Sequence, residues 1–350
     1  MLTGAPGLLT VLVTSPRVAP GLLTLAAWDA LRGAARVLCG SPGHPQLPAL
    51  TDAGITSEIL DEEASLPALA EALAAAAAQA GGPVVWLAGG PARAALGSGS
   101  SETVTGLLTA LGRLGARAPV TAVLRGSADL PGARLLDLVA TMAILRAECP
   151  WDAKQTHETL APHLLEEPYE ALEALEHGDH RALREELGDV LLQVLFHAQV
   201  ASERDDGSGY AVDDVADGIV AKLVRRHPHV FGDVAVSGAD EVAQNWDAIK
   251  RAERAATAGS GAAPSSALDG VPFGQPALAL AAQLLRRAAR AHVPAELAPQ
   301  AGGELGDRLF ALVAVAAAAG LDPEMELRAV ARRFAAQVRA WEQAQDGGGA

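Results

Sequence analysis

Aromatic residues are scarce in this 350-residue chain: five Trp, five Phe and two Tyr, or 3%. A core with so few rings must be closed by small and branched aliphatic side chains. With half the residues hydrophobic and long runs of Ala, closely packed helix is the expectation. Cysteine is nearly missing as well. Cys39 and Cys149 stand far apart, which excludes a disulfide framework and suits a reducing, cytoplasmic setting. No basic n-region opens the chain, and Arg17 and Pro20 interrupt its first apolar stretch, so no signal peptide is expected. The apolar run Leu309–Ala319 is shorter than the roughly 20 residues that cross a bilayer, so no membrane span is expected.

Lysine is the third scarcity. Only Lys154, Lys222 and Lys250 occur, against 24 Arg, and all three fall between residues 148 and 254. That same segment holds 10 basic and 23 acidic residues, a balance of −13 out of −15 for the whole chain. Duplex nucleic acid needs several phosphate-neutralising cations, so it is excluded as a partner. The acidic excess belongs to a local feature, not to the whole surface.

The pattern along the chain divides in two. Short apolar runs at 8–13, 35–39 and 83–87 read as strands. They alternate with helical patterning at 22–31, 67–80 and 102–114, with Ser65 as a cap for the second helix. Strands alternating with helices predict a parallel, doubly wound α/β sheet. From Arg134 onward the strand pattern vanishes. Helices are expected at 135–146, 157–177, 180–203, 212–226, 239–254, 276–291, 306–319 and 324–344. The Ala, Gly, Ser, Thr and Pro of 255–266 read as a linker, and the Gly-Gly-Gly-Ala end as unstructured.

Two acidic clusters carry the chemistry. The first is Glu166-Glu167-Pro168-Tyr169-Glu170 and the second Glu185-Glu186-Leu187-Gly188-Asp189. Residues three and four apart share a helix face. Two antiparallel helices joined near His177-Gly178-Asp179 therefore bring Glu166, Glu167 and Glu170 toward Glu186 and Asp189. Five carboxylates in one place repel one another unless a cation lies between them. A hard divalent ion bound through oxygen suits them best, Mg²⁺ first and Mn²⁺ as a substitute.

Residues 149–254 resemble the MazG family of nucleoside triphosphate pyrophosphohydrolases, within the all-α NTP pyrophosphatase superfamily. The matching strings are CPWDAKQTHETLAPHLLEEPYEAL, LREELGDVLLQVLFHAQVA, KLVRRHPHVFGD and NWDAIKRAE. The superfamily pattern EExxE, a spacer, then ExxD is met by Glu166, Glu167, Glu170, Glu186 and Asp189. The resemblance implies an all-α catalytic module at 134–254 that uses Mg²⁺ to cleave NTPs and dNTPs into monophosphate and pyrophosphate. It implies a role in cleaning the nucleotide pool, and a homodimer. Glu167, Glu170, Glu186 and Asp189 are then catalytic, with Glu167 taken as the base. Lys154, Lys222, Arg226, Trp246 and Lys250 become candidates for binding substrate, with Trp246 stacking on the base and the cations meeting phosphates.

Three features depart from the family. Pro168 lies inside the first carboxylate helix, where proline removes an N–H and tends to kink the chain. If the kink disabled the site, the chain would be a noncatalytic nucleotide sensor or a partner-binding scaffold. The string GGELGDRLFALVAVAAAAG echoes the second cluster, with Glu304 and Asp307 matching Glu186 and Asp189, but no EExxE precedes it. Residues 267–344 are read as a degenerate second helical module. Residues 1–130 are similar to the first half of a tetrapyrrole methylase, with Thr14-Ser15-Pro16-Arg17 in place of that family's glycine-rich turn. Methyl transfer is not expected there. His227-Pro228-His229 and the GSGSS run at 97–101 read as loops, not as a metal site or a phosphate cradle.

Overall fold

The structure, a computed structural model, describes residues 7–60, 65–89, 100–257 and 266–346. The chain divides into two compact units, Met1–Gly218 and Ile219–Ala350. The boundary falls inside the segment 134–254.

The first unit opens with five parallel strands: β1 (Leu8–Val13), β2 (Arg36–Cys39), β3 (Ser57–Ile59), β4 (Val84–Ala88) and β5 (Val120–Arg125). Their order is β3-β2-β4-β1-β5. Val11 of β1 stands in register with Trp86 of β4 on one side and Val123 of β5 on the other. All five residues of β4 are buried, as a strand covered on both faces requires. One face carries α1 (Leu25–Arg32) and α2 (Leu47–Asp52), which bring Leu31 and Leu50 against Leu12, Val85 and Leu87. The other carries α3 (Leu66–Gln79) and α4 (Ser100–Gly112), which bring Leu73, Ala77, Leu107 and Leu111 against Leu9, Val84 and Trp86. The doubly wound expectation holds for the described residues. Ser65 caps α3 by accepting from the Ala68 N–H. Strands β3 and β5 are not anticipated by the sequence pattern. Both are edges: β3 has three residues, two of them exposed, and β5 leaves Val120 and Val123 half exposed. The GSGSS run lies outside the described residues, except for Ser100 and Ser101, which begin α4.

Two arginines fasten the next helix, α5 (Arg134–Glu148), at its ends. Arg17, in the turn after β1, is nearly buried. Its Nε and Nη2 donate to Asp137 at 2.8 and 2.6 Å, and its Nη1 donates to Asp129 at 2.7 Å. Asp137 sits in the first turn of α5, where the helix dipole favours a carboxylate. Arg146, in the last turn, donates from Nε and Nη2 to Glu203 at 2.7 and 2.8 Å, and from Nη1 to the carbonyls of Asp152 and Gln155. Between the two, Met142 packs with Leu160 and Phe196.

Leu160 and Phe196 belong to a helical hairpin, α6 (His157–His177) and α7 (His180–Ser202). Thr156 begins α6 with a reciprocal cap to Thr159. Gly178 ends it at φ 68°, a left-handed conformation that glycine adopts without strain, and Asp179 caps α7 by accepting from the N–H groups of Arg181 and Ala182. Helix α6 continues through both Pro162 and Pro168. Both prolines are exposed, so the carbonyls they leave unpaired, those of Glu158 and Leu164, lie on the solvent side.

Helix α8 (Val212–Arg226) crosses the unit boundary. The second unit continues with α9 (Pro228–Phe231), α10 (Ala239–Thr257), α11 (Ala277–Arg290), α12 (Leu305–Ala318) and α13 (Pro323–Asp346). His227-Pro228-His229 is thus the entry to a short helix, not a loop, because proline suits a first helical turn. Residues 255–257 extend α10, so the expected linker begins later than 255. The rest of it up to 265, and the Gly-Gly-Gly-Ala end, lie outside the described residues. Ala281, Ala282 and Val313 join α11 to α12.

The Glu304–Asp307 echo has a local cause. Glu304 is the N-cap of α12, and the Asp307 carboxylate accepts from the Glu304 N–H at 2.9 Å, closing a capping box. Glu186 and Asp189 lie inside α7 instead. Counting back from Glu304 by the offsets that separate Glu186 from Glu166, Glu167 and Glu170 gives Leu284, Leu285 and Ala288, all apolar. Leu285 packs against the α11–α12 core.

Two substitutions test these joints. Arg146→Ala strands a partly shielded Glu203 and two carbonyls, and should cost about 2 kcal/mol in urea unfolding. Arg146 holds the Glu203 carboxyl below its ordinary range. That contribution is present above the unfolded carboxylate pKa and is lost as pH falls through the folded value, so wild type and variant should converge in acid. Gly178→Ala should cost about 1 kcal/mol by forcing a Cβ into the left-handed turn.

A candidate carboxylate metal centre and a cationic cluster

The hairpin sets its carboxylates by helical spacing. Carboxylate oxygens of Glu167 on α6, and of Glu186 and Asp189 on α7, all lie within 4.8 Å of one another. Glu170 stands next to this group, where its charge helps to push the Glu186 carboxyl up. Glu166 turns aside. Its side chain is 62% exposed and lies 3.7 Å from His163 Nδ1. Glu185 pairs with Arg181 and stays outside. Of the five expected ligands, the geometry gathers three, keeps Glu170 beside them and leaves Glu166 at the rim.

The electrostatics of the group are those of uncompensated charge. Partial burial, then the charges of Asp189, Glu170 and Glu166, push the Glu167 carboxyl up. Glu186 is pushed up by desolvation, then by Glu170 and Asp189. Among the described residues no Lys, Arg or His forms an ion pair with Glu167, Glu186 or Asp189. Like charges this close are tolerated when a cation is shared between them. An all-oxygen donor set suits Mg²⁺ or Mn²⁺, so the residues present match the ion expected from the sequence.

The flank of the hairpin is aromatic. Trp151, from the Cys-Pro-Trp-Asp stretch, meets His163 edge-on at 6.3 Å and Phe196 at 6.4 Å. His157 and His197 stack across the helix pair with their Nδ1 atoms 2.7 Å apart, and burial pushes His197 down. Lys154 ends a short turn before α6 and is exposed.

The remaining substrate candidates belong to the second unit. Trp246, Lys250 and Glu253 share one face of α10 by their i, i+4, i+7 spacing. The Lys250 Nζ stands 4.4 Å from the centre of the Trp246 ring, and the Arg226 guanidinium 5.9 Å from it. His227 meets the same indole edge-on at 5.5 Å. The indole is thus already in contact with two cations. Lys222 is exposed one turn before Arg226. Two partners escape the sequence reading: Glu253 pairs with both Arg225 and Arg226. Its i+3 relation to Lys250 is the available signal.

Comparison with known proteins agrees with the sequence pattern. Residues 155–231 match the family model described as the MazG nucleotide pyrophosphohydrolase domain. A protein of Streptomyces cacaoi, described as an uncharacterized 26.1 kDa protein, is 46% identical over 247 residues, which cover 69% of this chain and 98% of that one. The nucleoside triphosphate pyrophosphohydrolase of Mycolicibacterium smegmatis is 43% identical over 209 residues, and this chain spans 59% of its length. The nucleoside triphosphate pyrophosphohydrolase/pyrophosphatase MazG of Thermotoga maritima is 35% identical over 233 residues, which cover 59% of this chain and 85% of that one. By its motif, its helical hairpin and these likenesses, the chain belongs to the MazG family of nucleoside triphosphate pyrophosphohydrolases.

Proposed function

We propose that the chain is a Mg²⁺-dependent enzyme that hydrolyses NTPs and dNTPs to nucleoside monophosphate and pyrophosphate. The observation that carries this is the trio Glu167, Glu186 and Asp189, with oxygens within 4.8 Å and no ion-pair partner among the described residues. It is supported by relatives that bear the name nucleoside triphosphate pyrophosphohydrolase. Glu167, Glu186 and Asp189 would hold Mg²⁺, and Glu166 would add negative charge at the rim. When bound, the ion supplies charge neutralisation for the triphosphate and a lowered pKa for water.

A carboxylate engaged by a cation is a poor base, so Glu170 rather than Glu167 takes the proton of the attacking water in this reading. The water oxygen bonds to the α-phosphorus, the bond to the α–β bridging oxygen breaks, and pyrophosphate leaves. Lys154, just before the hairpin, is a cation for phosphate oxygens, and within the second unit Lys222, Arg226 and Lys250 form a cationic cluster suited to phosphate. Trp246, already in contact with Arg226 and Lys250, orients these cations instead of stacking on the base.

Exposed Leu164, Leu165, Leu175 and Leu187 on the hairpin support a homodimer that covers them. No helix of the described residues is long and apolar enough to cross a membrane. A nucleotide-pool role in the cytoplasm, with no duplex nucleic acid as partner, follows from the reaction class and the acidic surface.

Product analysis with each NTP and dNTP tests the assignment. Monophosphate and pyrophosphate are expected; diphosphate and orthophosphate would overturn it. Asp189→Asn should lower kcat/KM by about 10²-fold or more while the circular dichroism of the helices stays unchanged.

Metal binding has its own readout. Glu167 and Glu186 have raised pKa values, so the folded state holds their protons longer than the unfolded state does. Their favourable contribution is full below the unfolded carboxylate pKa and is lost as pH rises through the folded values. Mg²⁺ should therefore raise Tm more at pH 8 than at pH 5. Saturation at one hundred times Kd corresponds to about 2.7 kcal/mol. A Tm that is indifferent to Mg²⁺ at pH 8 would count against the site.

A further inference from the structure

Within the second unit, Glu253 holds two adjacent arginines in a particular way. Arg225 donates to it from Nε at 2.7 Å. Arg226 donates from Nη2 at 2.7 Å and from Nε at 3.2 Å. Both guanidinium groups thus spend their inner Nε edge on one carboxylate. Nη1 and Nη2 of Arg225 and Nη1 of Arg226 make no hydrogen bond to it. A guanidinium fork is planar, and its outer edge can accept a second anion while its inner edge is held. Arg226 is also steadied by the Trp246 ring, which Lys250 approaches at 4.4 Å. Two arginines thus share one acid, with Lys250 on the same helix face as that acid and Lys222 one turn before Arg226.

We infer that Glu253 is a positioning residue that fixes Arg225 and Arg226 side by side, so that their outer edges form a two-pronged site for polyphosphate. This assigns Arg225 to the phosphate-binding set as well. The inference rests on the reading of the chain as a triphosphate-binding enzyme. The alternative, that Glu253 competes with the phosphate for the arginines, predicts the opposite sign on removal. The two guanidinium groups hold the Glu253 carboxyl down to about 2, so its charge does not change over the working pH range.

The experiment measures binding of inorganic tripolyphosphate to the full chain by calorimetry, together with NTP kinetics. Glu253→Gln keeps an acceptor but removes the charge that holds both forks. The expected result is Kd and KM raised about tenfold, with kcat within about twofold. Tighter binding in Glu253→Gln would overturn the inference in favour of competition. A lower Tm with Kd and KM unchanged would overturn it in favour of a purely structural role.

Arg225→Lys covers the case in which Glu253→Gln fails to fold. It keeps the charge and removes one fork, and should raise Kd about fivefold; unchanged binding overturns the inference. Hydrolysis of NTPs by the wild-type chain tests the functional reading separately. With hydrolysis intact, unchanged KM in these variants removes only the role of Glu253. With hydrolysis absent, tripolyphosphate binding that weakens in them still supports it.

Discussion

Repulsion among carboxylates, held at close range by a helical hairpin, is the constraint on which the first unit depends. Left alone, Glu167, Glu186 and Asp189 would move apart, as would any three anions on mobile side chains. They stay together because their helices cannot separate. Gly178 and Asp179 turn the chain with one left-handed residue and one cap. Leu160 and Phe196 then lock the far end of the pair against Met142. The hairpin thus holds an electrostatic cost in a stiff frame.

The frame does not stop at the hairpin. Arg146 joins α5 to Glu203 in the residue just after α7, and Arg17 joins the other end of α5 to the turn after β1. A turn that elsewhere in doubly wound folds approaches a ligand is here filled by Ser15, Arg17 and Asp129, which bond to one another. The sheet thereby serves α5 mechanically.

Much of this is legible in the sequence because period and punctuation agree. The span of α6 can be read to the residue, because Thr156 and Gly178 mark its two ends in ways that packing does not alter. The convergence of Glu167, Glu186 and Asp189 is legible because acids repeated at helical spacing on two neighbouring helices come together. Strands β3 and β5 are not, since edge strands are half exposed and carry a diluted apolar signal. The fork on Glu253 is hidden for a different reason. It joins two helices across 27 residues, and nothing in either helix alone pairs one acid with two arginines. Local rules make Pro168 a threat to the site. The helix nevertheless runs unbroken through it, with Pro168 on the exposed side of α6.

The capping box at Glu304 and Asp307 gives the same spacing a different use in the second unit. In α7 the Glu-x-x-Asp spacing is a pair of side chains on a continuing helix; in α12 the same spacing is the place where the helix begins. Residues committed to the backbone in this way are no longer available as ligands. Placing acids at Leu284, Leu285 and Ala288 would disturb the α11–α12 contact at Leu285 while the capping pair still faced its own N–H groups. The Glu-x-x-Asp spacing here serves the start of a helix, and no single substitution turns it into a ligand set.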